Sequence, residues 1–321
     1  STPNSKLISK TDCPGKVINR PGGVILNIAG HIAKKNKFSD NILFFSSVGS
    51  DFEGRQIIQK IKKSGISTIN MRKEDNASDK FVGIESKDGS LFLAISDFSC
   101  IKKAEPKLLE AITNNKSILN KKVRKTILMD GNLSEKTIFQ IFDQPNLFDE
   151  NFNIISVSAP KSKKLSKVIS YAGQKKINLC VYLNLSEANS IARKSFRSIK
   201  SAAIFLLKLG SSQVVITDGA NKVFSAKKMN NSMIFSDHKP NTLNVSTTLG
   251  AGDIFAAEHI ISKITYPDAQ DKTHLVRSTS ESKKYLHSQT KTRYIWTMNN
   301  FTIISDEVKS AIAKKDPIVA L

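Results

Sequence analysis

Residues 249 to 255, Leu249-Gly250-Ala251-Gly252-Asp253-Ile254-Phe255, set small residues and a carboxylate ahead of a helix-period run that continues through Ile260, Ile261 and Ile264. A helix that opens on such a turn leaves its first backbone N–H groups unpaired and aimed forward. The helix dipole and the bare backbone of the glycines make that opening a cradle for an anion such as phosphate. Asp253 beside it is placed to take the proton of a hydroxyl while the amides of Gly250, Ala251 and Gly252 stabilise charge on a moving phosphoryl group. A lone aspartate in a first helical turn is also an ordinary favourable charge, so the assignment depends on what else the chain carries.

Four further clusters are candidates. Gly22 and Gly23 precede Val24, Asn27, Ile28 and Ala29. Val48-Gly49-Ser50-Asp51-Phe52-Glu53-Gly54, Asn184-Leu185-Ser186-Glu187 and Thr217-Asp218-Gly219-Ala220 each follow or close an apolar run. Taken singly, the glycine pair is a turn before a helix, Asn184 an Asx turn and Glu187 a first-turn helix charge.

The elements that must position these residues follow from periodicity. Asn41 to Ser47, Lys125 to Asp130, Asn153 to Ser158, Ile177 to Leu183 and Gln213 to Thr217 read as strands, each followed by a turn signal and a helical pattern. That alternation predicts a mostly parallel sheet covered by helices. Val24, Ile25, Ile28, Ala29, Ile32 and Ala33 mark one amphipathic helix, and Ile57, Ile58 and Ile61 a second that Gly65 ends. Phe81 to Glu85 and Leu91 to Ile95 flank Lys87-Asp88-Gly89-Ser90, whose Asp-Gly predicts an antiparallel hairpin standing off the main sheet. From Tyr266 to Thr292 the chain turns polar, which reads as a loop or poorly ordered insertion.

Composition narrows the classes. The 321 residues are 40% hydrophobic and 24% charged, the pattern of an ordinary globular protein, and runs such as Ala202 to Leu207 are too short to span a bilayer. The net charge of +21 is spread as short lysine pairs along the whole length rather than as one stripe interleaved with aromatics, which argues against nucleic acid as a partner. Cys13, Cys100 and Cys180 form neither a disulfide framework nor a zinc motif. His31, His238, His259, His274 and His287 show no metal-ligand spacing and read as packing or surface residues, and Trp296 reads as core. The opening Ser-Thr-Pro-Asn-Ser-Lys has no apolar leader and no initiator Met, so we expect a cytoplasmic protein and a fragment or processed piece.

In combination the motifs carry a resemblance. Gly250-Ala251-Gly252-Asp253-x-Phe255 is similar to the Gly-Ala-Gly-Asp-x-Phe signature of the ribokinase-like (PfkB) kinases. Gly22-Gly23 with Asn27 and Ala29 resembles their substrate motif, residues 48–54 their Gly-x-Asp-x-x-Gly turn, Asn184 to Glu187 their Asn-x-x-Glu motif, and Val215 to Ala220 the strand and turn under the nucleotide. The five occur in the family's order. The resemblance implies a three-layer αβα fold with a mostly parallel sheet and a small β lid, the whole chain forming one kinase domain with lid segments at about 11–20 and 80–97. It implies an ATP- and Mg²⁺-dependent kinase with Asp253 as base and the Gly250 to Gly252 amides as anion hole. Asn184, Thr217 and Gly219 would then lie at the nucleotide, Glu187 at the metal, and Gly22, Gly23, Asn27 and Thr11 at the substrate.

Within the family, Thr11-Asp12-Cys13-Pro14-Gly15, Leu91 to Asp97, and Val157-Ser158-Ala159 with Lys161 resemble the pseudouridine kinases. The implied reaction is phosphorylation of a nucleoside 5′-hydroxyl, with ribose or adenosine as alternative acceptors. The implied partners are a small-molecule nucleoside, a fused or associated pseudouridine-5′-phosphate glycosidase, and a second copy through the lid. Three departures stand out. Leu249 replaces a polar residue, Glu258 replaces a small one and is expected to repel nucleotide phosphates, and no family-type first strand precedes Thr11. These departures also allow a non-catalytic ribokinase-like binding module.

Overall fold

The computed structural model describes residues 2–3, 15–36, 42–85, 91–115, 126–144, 147, 153–154, 163–230, 232–240, 250–291 and 318–320. In chain order the elements are β1 (Thr2–Pro3), β2 (Gly15–Lys16), α1 (Val24–Asn36), β3 (Ile42–Phe44), β4 (Ser46–Gly49), α2 (Phe52–Lys63), β5 (Met71–Glu74), β6 (Lys80–Glu85), β7 (Leu91–Asp97) and α3 (Ser99–Thr113). Then come β8 (Thr126–Leu128), α4 (Glu135–Phe142), β9 (Asn153–Ile154), α5 (Lys163–Gln174), β10 (Leu179–Asn184), α6 (Leu185–Ala192), α7 (Ile199–Leu209) and β11 (Gln213–Asp218). The last elements are β12 (Lys222–Met229), β13 (Ser232–His238), α8 (Ala251–Thr265), α9 (Asp271–Lys291) and β14 (Ile318–Ala320).

A parallel strand covered on both faces reads as a continuous apolar run, and β10 shows why. Leu179, Val181 and Leu183 pack into one buried cluster with α3, α4, α5 and α7, while Cys180 and Tyr182 pack into another with α1 and α8. β11 repeats the alternation, with Val214 and Ile216 on the first face and Val215 on the second. Helix, sheet and helix therefore form three layers, the ribokinase-like αβα arrangement. A five-stranded sheet runs β13-β12-β11-β10-β9, and a three-stranded one runs β3-β14-β8. The two meet where β8 lies beside β9. β9, β10 and β11 are parallel, as are β3, β14 and β8, whereas β12 and β13 add antiparallel.

The predicted hairpin is present: β6 and β7 pair antiparallel, Phe81 opposite Ser96 and Val82 opposite Ile95. Its turn lies outside the described residues. β1 and β2 pair beside it, with Gly15 and Lys16 inside the predicted 11–20 segment. This region presents apolar side chains to solvent, with Val17, Phe81, Phe92 and Ile95 all exposed.

Three expectations need correction. The run from Asn41 to Ser47 is two strands in different sheets, divided at Phe45. The antiparallel strands β12 and β13, which carry Lys and Ser on a half-exposed face, were not expected. The polar stretch after Tyr266 is not a loop: residues 271–291 form a 21-residue helix. Its inner stripe is His274, Leu275, Ser278 and Ser282, at helical spacing but with a single aliphatic residue among the four. Ser278 donates to the carbonyl of His274, Ser282 to that of Ser278 at 2.6 Å, and Thr279 to that of Leu275 at 3.0 Å. Hydroxyls satisfied by their own helix can be buried at little cost, so a polar sequence packs a face that apolar counting misses.

Candidate active site

Gly250 opens α8 in the left-handed region, with φ +83°, a conformation that a side chain would disfavour. It accepts from the amide of Ile254 at 3.1 Å, and no side chain caps the helix start among the described residues. A Cβ on Gly252 would meet nothing within 4 Å among the described residues.

Asp253 lies in the first turn of α8 and is joined to α1. Asn27 of α1 donates from Nδ2 to its Oδ2 at 2.8 Å across 226 residues of sequence. Asn27 is fixed in turn by its helix, its amide donating to Gly23 at 2.9 Å, and Gly23 holds φ +113° ahead of α1. Lys60 of α2 reaches the same spot: its Nζ donates to the Pro21 carbonyl at 2.7 Å and to Asn27 Oδ1 at 3.5 Å. Burial pushes the Asp253 carboxyl up, against the pull of the Asn27 hydrogen bond and the Lys60 charge. Burial likewise lowers Lys60, helped by Lys34 and Arg20, while Asp253 opposes the shift.

Two more carboxylates feel Asp253. Asp130, two residues beyond β8, is pushed up to about 6 by burial and by the Asp253 charge, against the amide of Asn132 at 2.9 Å and the charge of Lys164. Glu187 is raised by burial and by Asp253, against the Asn184 amide. Asn184 and Glu187 form a reciprocal cap on α6, each backbone N–H donating to the other's side chain at 2.8 Å. The cap engages Glu187 Oε2 and leaves Oε1 for another partner. Thr217 is the parallel register partner of Asn184 and donates to Leu183 at 3.4 Å. Gly219 follows with φ +53° and open space around its Cα.

The predicted residues thus gather at the strand ends where β8, β10 and β11 meet the start of α8. Gly22 and Gly23 sit at the same opening, exposed ahead of α1. Thr11, Cys13, Leu249, Lys161 and Trp296 lie outside the described residues. Asp130 and Lys60 were missed in the sequence. Asp130 ends a strand as a polar residue after an apolar run, a usable signal, but nothing in spacing distinguishes Lys60 from the other lysines of α2.

The expectation for Glu258 is overturned. It is 3% exposed and turned toward α1, accepting from Lys35 Nζ at 2.6 Å and bonded to His31 Nε2 at 2.7 Å. Lys35 also bridges to Glu281 of α9 at 2.6 Å. Its charge is neutralised within the helix layer, one and a half turns from Asp253, and the small residue it replaces is exchanged for a clamp between α1 and α8. His259 and His274 also pack internally, against Tyr182 Oη at 2.8 Å and Ser262 Oγ at 2.9 Å. Cys100 and Cys180 are buried and free.

Comparison with known proteins adds the decisive observation: the profile of the pfkB family carbohydrate kinases matches residues 9–260. The chain belongs to the pfkB family. No curated protein sequence matches it significantly. Among solved structures it is similar to ribokinase from Thermotoga maritima, with a TM-score of 0.64, 14% identity, and coverage of 97% of this chain and 94% of that one. It also resembles Arabidopsis thaliana ribokinase complexed with ribose and ATP, at a TM-score of 0.62, 18% identity and coverage of 89% and 88%. Anopheles gambiae adenosine kinase in complex with P1,P4-di(adenosine-5) tetraphosphate gives a TM-score of 0.65 at 14% identity, with coverage of 87% and 82%. At these identities the likeness establishes the fold. PfkB kinases are ATP-dependent phosphotransferases, and among the described residues no helix is long and apolar enough to cross a membrane.

Proposed function

We propose that this pfkB kinase transfers phosphate from ATP to the 5′-hydroxyl of a nucleoside, with pseudouridine the preferred acceptor. The observation that carries the reading is the bond from Asn27 to Asp253 at the uncapped start of α8. It ties the acceptor motif to a carboxylate beside backbone amides suited to a phosphoryl group, as transfer to a hydroxyl requires.

Asp253 takes the hydroxyl proton as the oxygen attacks, and Asn27 and Lys60 hold it ionised and aimed. The amides of Gly250, Ala251 and Gly252 receive the charge of the moving group, and Thr217 and Gly219 border the nucleotide. Among the described residues no three His, Cys, Asp or Glu side chains group closely enough to hold a metal ion by themselves, so a hard divalent cation would rest on Glu187, whose Oε1 is not used by the cap, with phosphate oxygens and water supplying its other ligands. Mg²⁺, when bound, neutralises phosphate charge, and Glu187 and Asn184 would hold it through water. The lid of β6 and β7 closes over the acceptor and excludes water. Its exposed apolar residues also support a homodimer through the lid.

The test is a phosphoryl-transfer assay comparing pseudouridine, uridine, adenosine and ribose under one condition. Pseudouridine is expected to show the highest kcat/KM. A clear preference for ribose or adenosine would reassign the acceptor, and no transfer to any of them would sink the reading.

A further inference from the structure

We infer that the gap between β3 and β8 is a strand-acceptor slot, filled within the same chain by residues 318–320, which thereby supply the central strand of the kinase sheet. β14 runs parallel to both neighbours, Ile318, Val319 and Ala320 pairing with Ile42, Leu43 and Phe44 on one side and with Thr126, Ile127 and Leu128 on the other. Neither β3 nor β8 has another hydrogen-bonded neighbour among the described residues.

Removing β14 leaves two buried strands about two strand spacings apart, roughly 9.5 Å, too far to bond each other. Ile42, Phe44, Thr126, Ile127 and Leu128 are all under 7% exposed, so the backbone groups facing the gap would be stranded in the core. A filled slot is therefore a condition of the fold.

The occupant is argued from its sequence and reach. Ile318-Val319-Ala320 is a continuous apolar run that begins with two β-branched residues, the composition of interior parallel strands, and Pro317 stands just ahead of it, where a strand tolerates proline. From the end of α9 at Lys291, the 26 residues 292–317 span up to about 90 Å, ample to return to the middle of the sheet.

Position gives the strand a functional consequence. Ala320 is level with Leu128, and two residues further along β8 is Asp130, whose carboxyl feels Asp253. Slot occupancy therefore fixes the strand end on which the site is assembled, whatever the acceptor is.

Two measurements on the full chain test the assignment without reference to kinase activity. Thr126→Cys with Ile318→Cys, register partners, should form an intramolecular disulfide on mild oxidation, read by mass spectrometry of the linked peptides, since parallel neighbours lie within bridging distance. No bridge would overturn the assignment, and a bridge between two copies would give the slot to a second molecule and overturn the in-chain arrangement. In hydrogen exchange, Val319→Pro should speed exchange at 42–44 and 126–128 by about tenfold or more while β10 and β11 stay protected. Adding a peptide of residues 314–321 should restore that protection. Unchanged protection in Val319→Pro, or no response to the peptide, would overturn the inference. If Val319→Pro does not fold, the cysteine pair decides.

Discussion

Two aspartates begin helices after glycine-containing turns, and the molecule uses them in opposite ways. Asp51 caps α2: its Oδ1 accepts from the Gly54 amide at 2.8 Å and from Ser78 Oγ at 2.6 Å, and its Oδ2 accepts from the Ser78 amide at 2.8 Å. Desolvation works to raise its pKa, and these donors outweigh that and bring the carboxyl to about 2. Asp253, in the first turn of α8, has Asn27 as its one side-chain hydrogen-bond partner among the described residues, and burial leaves its carboxyl raised. A saturated carboxylate holds a turn together, whereas an undersatisfied one beside free amides retains the basicity to do chemistry.

The sharpest way to break this comparison is Asp253→Asn. We expect kcat to fall about 10²–10⁴-fold with ATP affinity and melting temperature nearly unchanged, measured by steady-state kinetics, calorimetry and thermal melting. A large loss of stability instead would make Asp253 a second Asp51. The converse substitution, Asp51→Ala, removes a cap and strands the Ser78 donors, and should cost about 1–3 kcal/mol of stability in denaturant titration while kcat per folded molecule holds.

Asp130 offers a test of sign. Its folded pKa, about 6, lies above the ordinary carboxylate value, so the folded state binds the proton more tightly and stability falls as pH rises from about 4 through 6. Asp130→Asn should abolish that slope and stabilise the protein at pH 7 by about 1–2 kcal/mol, read as melting temperature against pH. The smallest effect is expected at Lys60. Its charge lowers the Asp253 pKa, so Lys60→Met should move the acid limb of the kcat/KM profile to higher pH, and Lys60→Arg should restore it.

How much of this was legible in the sequence depended on whether the physical cause was local. β10, β11, α1 and α2 were readable because burial on one or two faces imposes a period on the residues themselves. The cradle at Gly250 was readable because left-handed backbone and a bare helix start demand glycine. Three features resisted. The inner face of α9 hides behind serines that bond to their own helix. The role of Glu258 was misread because its partners, His31 and Lys35, lie more than 220 residues away in sequence. β14 is too short to announce itself, and only the vacancy between β3 and β8 gives it meaning. Asn184 and Glu187 were legible as a pair, and the structure shows them capping α6 reciprocally, with Glu187 Oε1 outside the cap.

The Asn27 to Asp253 bond links residues 226 positions apart. During synthesis, α1 emerges from the ribosome long before α8 exists, so for most of translation Asn27 is present without Asp253. The packing of α1 against α8 is therefore closed only late, after residues 250–265 have been made.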